Sequence, residues 1–243
     1  MKNPMKHGQA QSTVPPILSG EGLAKSYGRT TVLHEASLEV RRGESVAVMG
    51  PSGSGKSTLL YCLSGVMTPD RGDVMFDGNR ISAFSDARRA ELRRSVFGFV
   101  FQFPGLLPEL SVDENVALPL MLAGIHHQDA VTRARKLLPA LGLKGLERRR
   151  PGELSGGQAQ RVGIARALIL EPAVVFADEP TGTLDTETGK DVMSLLVSMV
   201  RDQEAALIVV THDEGVARRC DRIVRVVDGR ILPASSGPIN KNL

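Results

Sequence analysis

Residues 50–57 read Gly50-Pro51-Ser52-Gly53-Ser54-Gly55-Lys56-Ser57 and fit the pattern G-x-x-x-x-G-K-[ST]. The chemistry such a segment performs is anion binding. Three glycines let the backbone turn tightly and aim its N–H groups inward. Those donors, with the N-terminus of a following helix, form a phosphate cradle free of side-chain bulk. Lys56 would reach the β- and γ-phosphates of a nucleotide, and Ser57 would offer its hydroxyl to Mg²⁺. The apolar run Ser45–Met49 before the loop reads as a buried strand, and residues 58–64 after it as the first turns of a helix. Strand, glycine loop and helix are the context the motif requires. By itself the loop says nucleotide phosphate and leaves open which ATPase, GTPase or kinase.

Two further segments carry chemistry. Val174-Val175-Phe176-Ala177-Asp178-Glu179 is an apolar strand that ends in two acids. Beside a phosphate loop, Asp178 would help hold Mg²⁺ and Glu179 would accept a proton from an attacking water. Acids that merely cap the following turn are the alternative. Leu154-Ser155-Gly156-Gly157-Gln158 places two glycines behind a serine at a helix start, a second anion-binding end. Two phosphate-binding ends and a single glycine loop point to a site shared between two chains.

In chain order the glycine loop, Leu154 to Gln158 and the strand ending in Asp178 and Glu179 resemble the ATP-binding subunit of ABC transporters, over roughly residues 17–231. The resemblance implies further roles. Tyr27, in Lys25-Ser26-Tyr27-Gly28, matches the aromatic residue that stacks on adenine. Gln102, after Phe99-Val100-Phe101, matches the glutamine that links the site to a helical subdomain and approaches the metal. Asp185, in Thr181-Gly182-Thr183-Leu184-Asp185, matches the aspartate that faces the opposite chain, although this segment departs from the commoner Ser-Ala-Leu-Asp form. His212, in Val210-Thr211-His212-Asp213, matches the histidine that holds the γ-phosphate. The implied nucleotide contacts are Tyr27, Gly50 to Ser57, Thr58, Ser155, Gly156, Gly157, Gln158 and Asp185. The implied metal contacts are Ser57, Gln102 and Asp178, and the catalytic residues Glu179, His212 and Gln102.

The family's mechanism then implies ATP and Mg²⁺ as cofactors and a second copy of the chain paired head to tail. ATP lies between the glycine loop of one copy and Ser155 and Gly157 of the other. Hydrolysis opens the pair, and an integral membrane permease harnesses the motion. The stretch from Leu106 to Leu120 is similar to ATPases of the lipoprotein-release, macrolide-export and cell-division group, whose permeases have four membrane spans. That implies export or extraction. An importer ATPase, a soluble ABC-type ATPase acting on DNA or ribosomes, and a mechanotransmission ATPase without transport are the alternatives. The soluble class is disfavoured, because the chain has no long coiled-coil insertion and one cassette instead of two.

These residues need a scaffold, and the rest of the chain supplies one. Strands alternating with helices predict an α/β fold, a P-loop NTPase with a mostly parallel core sheet, a small antiparallel β subdomain and an inserted helical subdomain. Residues 17–27 and 31–40 read as two antiparallel strands joined at 28–30, and 74–76 as a short strand. Residues 86–95 read as a charged helix whose Arg88, Arg89, Arg93 and Arg94 form a solvated face. A strand over 97–101 ends on Gln102. The helical subdomain is placed at 103–152, with a capping box of Ser111 and Glu114, a kink at Pro119, a helix over 127–141 stopped by Gly142, and a basic loop at 148–150. A helix starts near Ser155. Strands over 173–177, 207–210 and 223–227 and a helix over 191–201 complete the core, the helix facing Val192, Leu195, Leu196, Met199 and Val200 inward.

With 243 residues and 42% hydrophobic content the chain fits one large domain, here 17–232, flanked by loose tails at 1–16 and 233–243. The first tail is polar and lacks the apolar stretch of a secretory signal. A net charge of +3 is too mild to argue for a specific nucleic-acid partner. Cys62 and Cys220 have no metal-ligand spacing and fit a reduced, cytoplasmic setting. No apolar run reaches the length of a membrane span, so attachment to the cytoplasmic face of the membrane is expected to come through the permease.

Overall fold

A computed structural model describes residues 15–232. The expected tails, apart from Pro15 and Pro16, lie outside the described residues. The chain opens with two long antiparallel strands, β1 (Leu18–Tyr27) and β2 (Thr30–Val40), followed by β3 (Ser45–Met49) and α1 (Lys56–Leu63). Next come β4 (Arg71–Phe76), β5 (Asn79–Arg80), α2 (Asp86–Ser95) and β6 (Phe97–Phe101). Helices α3 (Val112–Leu122), α4 (His127–Leu137) and α5 (Gly156–Leu168) lead into β7 (Val174–Asp178). The remainder is α6 (Thr186–Asp202), β8 (Ala206–Val210), α7 (Glu214–Ala217), β9 (Arg222–Val227) and β10 (Arg230–Ile231).

Two sheets result. One has the order β2-β1-β4-β5 and is antiparallel throughout, so the short strand at 71–76 joins the opening hairpin. The other has the order β10-β9-β3-β8-β7-β6, parallel except for the β9–β10 hairpin at its edge. Its central strands β3, β8 and β7 are buried on both faces, as continuous apolar runs require. Because successive side chains alternate, β3 sends Ala47 and Met49 to the face covered by α3 to α6. Val46 and Val48 go to the face covered by α1 and the antiparallel sheet. Strand β7 divides likewise, Val175 and Ala177 from Val174 and Phe176. On the second face Phe97 bridges the two sheets edge-on, its ring 5.0 Å from Phe76 and 5.1 Å from Phe176. Burying aromatic residues of this size contributes about 1.5–3 kcal/mol each.

Several expectations are corrected. Helix α6 begins at Thr186, not at 191, with Asp185 accepting the N–H groups of Glu187 and Thr188 as its cap. The apolar period starts only at Val192, which hid the polar first turn. Met193 joins the fully buried face, while Leu195 and Met199 are only partly buried. The helix expected over 127–141 is α-helical to Leu137 and tightens to a 3₁₀ turn over Leu138–Leu141 before Gly142, whose φ is 69°. Helix α3 holds Pro119, the expected kink position, inside its span and ends at Leu122. The arginines of α2 are not simply solvated. Arg89 Nη1 donates to the Phe84 carbonyl at 2.6 Å, Arg93 Nη1 donates to the Gly65 carbonyl at 2.5 Å, and Arg88 lies over the Phe84 ring at 3.8 Å.

Candidate active site

The order β3-β8-β7-β6 sets four strand ends side by side at the carboxyl edge of the parallel sheet, where open α/β sheets bind ligands. The first end carries the glycine loop, the second His212, the third Asp178 and Glu179, and the fourth Gln102. Residues far apart in sequence thus become neighbours through strand order alone.

The loop is held where only glycine fits. A Cβ on Gly50 would lie 2.0 Å from the Val226 carbonyl oxygen. Gly55 has φ 98°, and a Cβ there would lie 2.7 Å from the Val32 carbonyl oxygen. Lys56 is buried, and its Nζ donates to the carbonyls of Gly50 at 3.0 Å and Pro51 at 2.9 Å. Ser54 Oγ, also buried in the loop, has no hydrogen-bond partner among the described residues. Ser57 Oγ donates to Asp178 Oδ1 at 2.9 Å. The other carboxylate oxygen of Asp178 accepts from the Tyr61 hydroxyl at 2.8 Å. Burial, and then the bond to Asp178, push the Tyr61 phenol up to about 12.

One residue further, Glu179 takes a left-handed conformation, φ 48°, which costs a non-glycine residue about 1–3 kcal/mol. Its N–H donates to the Val210 carbonyl at 2.9 Å, so the turn is pinned to β8. The conformation brings Oε1 to 3.0 Å from His212 Nδ1. His212 in turn is placed by Thr211, a buried residue whose N–H donates to the Val48 carbonyl at 3.1 Å and whose Oγ1 accepts the Asp213 N–H at 3.0 Å.

Gln102 follows Phe101, which pairs with Asp178 across β6 and β7. Its side chain lies against Gly182, where a Cβ would approach Nε2 to 2.9 Å, and its carbonyl accepts from Thr183 Oγ1 at 3.4 Å. Among the described residues no hydrogen bond joins the Gln102 side chain to Ser57 or Asp178. Tyr27, at the end of β1, is 47% exposed, with its hydroxyl donating to Met67 Sδ at 3.0 Å. Asp70 fixes the neighbouring backbone, accepting from Ser26 N–H at 2.7 Å and from Lys25 Nζ at 2.8 Å. These bonds hold the Asp70 carboxyl below the ordinary carboxylate range.

A second cluster forms at the start of α5. Ser155 Oγ accepts the Gln158 N–H at 3.3 Å and Gln158 Oε1 accepts the Ser155 N–H at 3.0 Å, a reciprocal capping box. Ser155 and Gly156 are exposed, whereas Gly157 is buried. Gly157 abuts α6, since a Cβ there would lie 2.6 Å from Thr188 Cγ2, and Gly156 faces Leu184. Asp185 belongs to this group as the cap of α6. Among the described residues no hydrogen bond links the second cluster to the glycine loop. Tyr61 and Gln160 escaped the sequence reading. Gln160 is buried and its Nε2 donates to the Phe101 carbonyl at 2.9 Å, tying α5 to the strand that delivers Gln102. Tyr61 left one signal, its spacing of four residues from Ser57.

The family model described as ABC transporter matches residues 33–182. The chain belongs to the ABC transporter family. Among curated proteins, the chain is 43% identical over 227 residues to the lipoprotein-releasing system ATP-binding protein LolD of Xanthomonas axonopodis pv. citri, covering 92% of this chain and 93% of that protein. The match to LolD of Xanthomonas euvesicatoria pv. vesicatoria has the same identity and coverage. Among solved structures, the ATP-binding cassette MJ0796, a dimer bound to ADP and Pi, superimposes with a TM-score of 0.80 at 36% identity, covering 89% of this chain and 97% of that one. CbiO1 from Clostridium perfringens, part of the ABC transporter complex CbiONQ, gives a TM-score of 0.82 at 32% identity, with 90% and 88% covered. This ABC cassette is thus an ATP-binding, ATP-hydrolysing transporter subunit with the α/β P-loop fold that its sequence predicts. No helix among its described residues is long and apolar enough to cross a membrane.

Proposed function

We propose that this chain drives extraction or export by a membrane permease with four spans, in the manner of a lipoprotein-releasing system, and that it works as a head-to-tail pair at the cytoplasmic face. The observation that carries the reading is that the two clusters share no hydrogen bond among the described residues, while Ser155 and Gly156 lie exposed. One holds Lys56, Ser57, Asp178, Glu179 and His212; the other presents Ser155 outward from α5. A γ-phosphate held by the first cluster has room for donors from the second only if a second copy supplies them. We take residues 17–232 as one cassette with its helical subdomain at 103–152.

Each residue has a task in this reading. The loop from Gly50 to Ser57, with Thr58 behind it, wraps the phosphates, and Lys56 exchanges its two carbonyl partners for phosphate oxygens. Tyr27, exposed at its strand end, stacks on adenine. Ser57 Oγ and Asp178 Oδ1 form a pair of hard oxygen donors that fits Mg²⁺. Among the described residues no group of three or more His, Cys, Asp and Glu side chains could cage a metal, which suits an ion that also takes substrate oxygens. When bound, Mg²⁺ would neutralise charge on the phosphates. Glu179 accepts the proton of the attacking water, and His212, held by Glu179 Oε1, faces the γ-phosphate. Gln102 reports the state of the site to the helical subdomain, with Gly182 and Thr183 as its local contacts. The partner's Ser155, Gly156, Gly157 and Gln158, with Asp185, close the site. For the permease, a cavity of about 530 Å³ opens between β6, α2, α3 and α5, lined by Phe97, Phe99, Phe101, Leu118, Pro119 and Leu122.

The experiment uses Glu179→Gln as bait, loaded with ATP and incubated with detergent-solubilised host membranes. A four-span permease with a large outer domain is the expected co-purified protein. A permease with more spans and a solute-binding protein would make the cassette an importer subunit. Full ATPase activity in the same variant would remove Glu179 from its role.

A further inference from the structure

Ser57 and Tyr61 stand four residues apart on α1 and share one face of that helix. Both hydroxyls converge on one carboxylate, Ser57 on Asp178 Oδ1 at 2.9 Å and Tyr61 on Oδ2 at 2.8 Å. We propose that Tyr61 is a positioning residue for the metal site, clamping Oδ2 of Asp178 so that Oδ1 stays aligned with Ser57 toward the ion. The proposal rests on the reading of Ser57 and Asp178 as the Mg²⁺ pair.

The physical argument concerns rotation. The terminal torsion of an aspartate is broad and roughly two-fold, so a carboxylate held at one oxygen can swing or exchange its oxygens. A donor on the opposite oxygen removes that freedom before any ion arrives. Groups that hold a metal ligand in place without touching the metal commonly govern metal affinity by about 10–100-fold. Tyr61 is suited to this because its ring is packed against the apolar cluster beneath the sheet while its hydroxyl emerges at the carboxylate. Among the described residues its hydroxyl makes no hydrogen bond to Lys56 or to the glycine loop, so its effect on the metal separates from phosphate binding. Its removal to Phe keeps the ring and its packing and deletes one donor.

The test is a calorimetric titration of ATP into the Glu179→Gln protein, with and without Tyr61→Phe, each in excess Mg²⁺ and in EDTA. The ratio of the two affinities is the metal-linked gain. Tyr61→Phe is expected to cut that gain about tenfold and to leave the affinity in EDTA unchanged. An undiminished gain would overturn the proposal. Equal losses with Mg²⁺ and in EDTA would reduce Tyr61 to a packing residue. No metal-linked gain in the parent protein would overturn the metal pair itself, and Tyr61 with it. As a cross-check, Tyr61→Phe added to Asp178→Ala is expected to change nothing further, because the group it positions is already gone. A further tenfold drop there would place its action elsewhere.

Discussion

Lys56 shows how much a single charge is asked to do. The residue is 8% exposed, and its ammonium donates to two carbonyls of its own loop. Those partners are neutral dipoles, so phosphate oxygens, which meet the same donors with a full opposite charge, can replace them. Lys56→Ala is expected to abolish measurable ATP binding in calorimetry while the fold persists by circular dichroism. Unchanged nucleotide affinity would contradict the assignment. Glu179 makes the complementary case. Its left-handed backbone serves the contact with His212, and a strained non-glycine residue at the end of a buried strand is where stored strain tends to mark function.

At the scale of elements, the junction of α5 and α6 decides whether Gly156 and Gly157 serve packing as well as phosphate. A methyl group on Gly157 would sit 2.6 Å from Thr188 Cγ2, too close without movement of one helix. Gly157→Ala is expected to cost about 1–3 kcal/mol in chemical denaturation, the usual range for overpacking. Thr188→Ser, which deletes the opposing methyl, should restore most of that loss. An unchanged denaturation midpoint for Gly157→Ala would show that α6 yields freely. The outcome bears on mechanism, because Asp185 caps α6 one turn from Thr188 and would move with it.

For the molecule as a whole, the two thiols report on the closed core. Cys62 lies on α1 and Cys220 between α7 and β9, and neither forms a disulfide. Burial pushes Cys62 up to about 11 and Cys220 up to about 12. A thiol-exchange reagent at pH 8 is therefore expected to label neither cysteine in the native protein and both after unfolding. The sign of the pH effect follows. A thiol whose folded value is raised stabilises fully below its unfolded value of about 8.5, and that contribution is lost as pH rises toward the folded value. Stability should fall in this alkaline window, and less steeply in a Cys62→Ala, Cys220→Ala variant. Rapid labelling of the native protein would show that the core opens locally.

The candidate chemistry was legible in residue type and spacing, because a glycine loop before a helix, paired acids at a strand end and a buried strand are local patterns. The loop from Gly50 to Ser57, the acids at 178 and 179 and the glycines at 156 and 157 needed no coordinates to be found. Most strands were legible too, since a strand buried on both faces is a continuous apolar run. Where α6 begins was not legible, because its first turn is set by a capping side chain and carries no apolar period. Nor was the partnership of Tyr61 with Asp178. The α1 face that carries both hydroxyls is fixed by helical spacing, yet which carboxylate it meets depends on strand order. That residues 57, 61, 102, 178, 179 and 212 gather at one edge follows from β3, β8, β7 and β6 lying side by side. Strand order is a long-range choice of the whole core, and no window of sequence contains it.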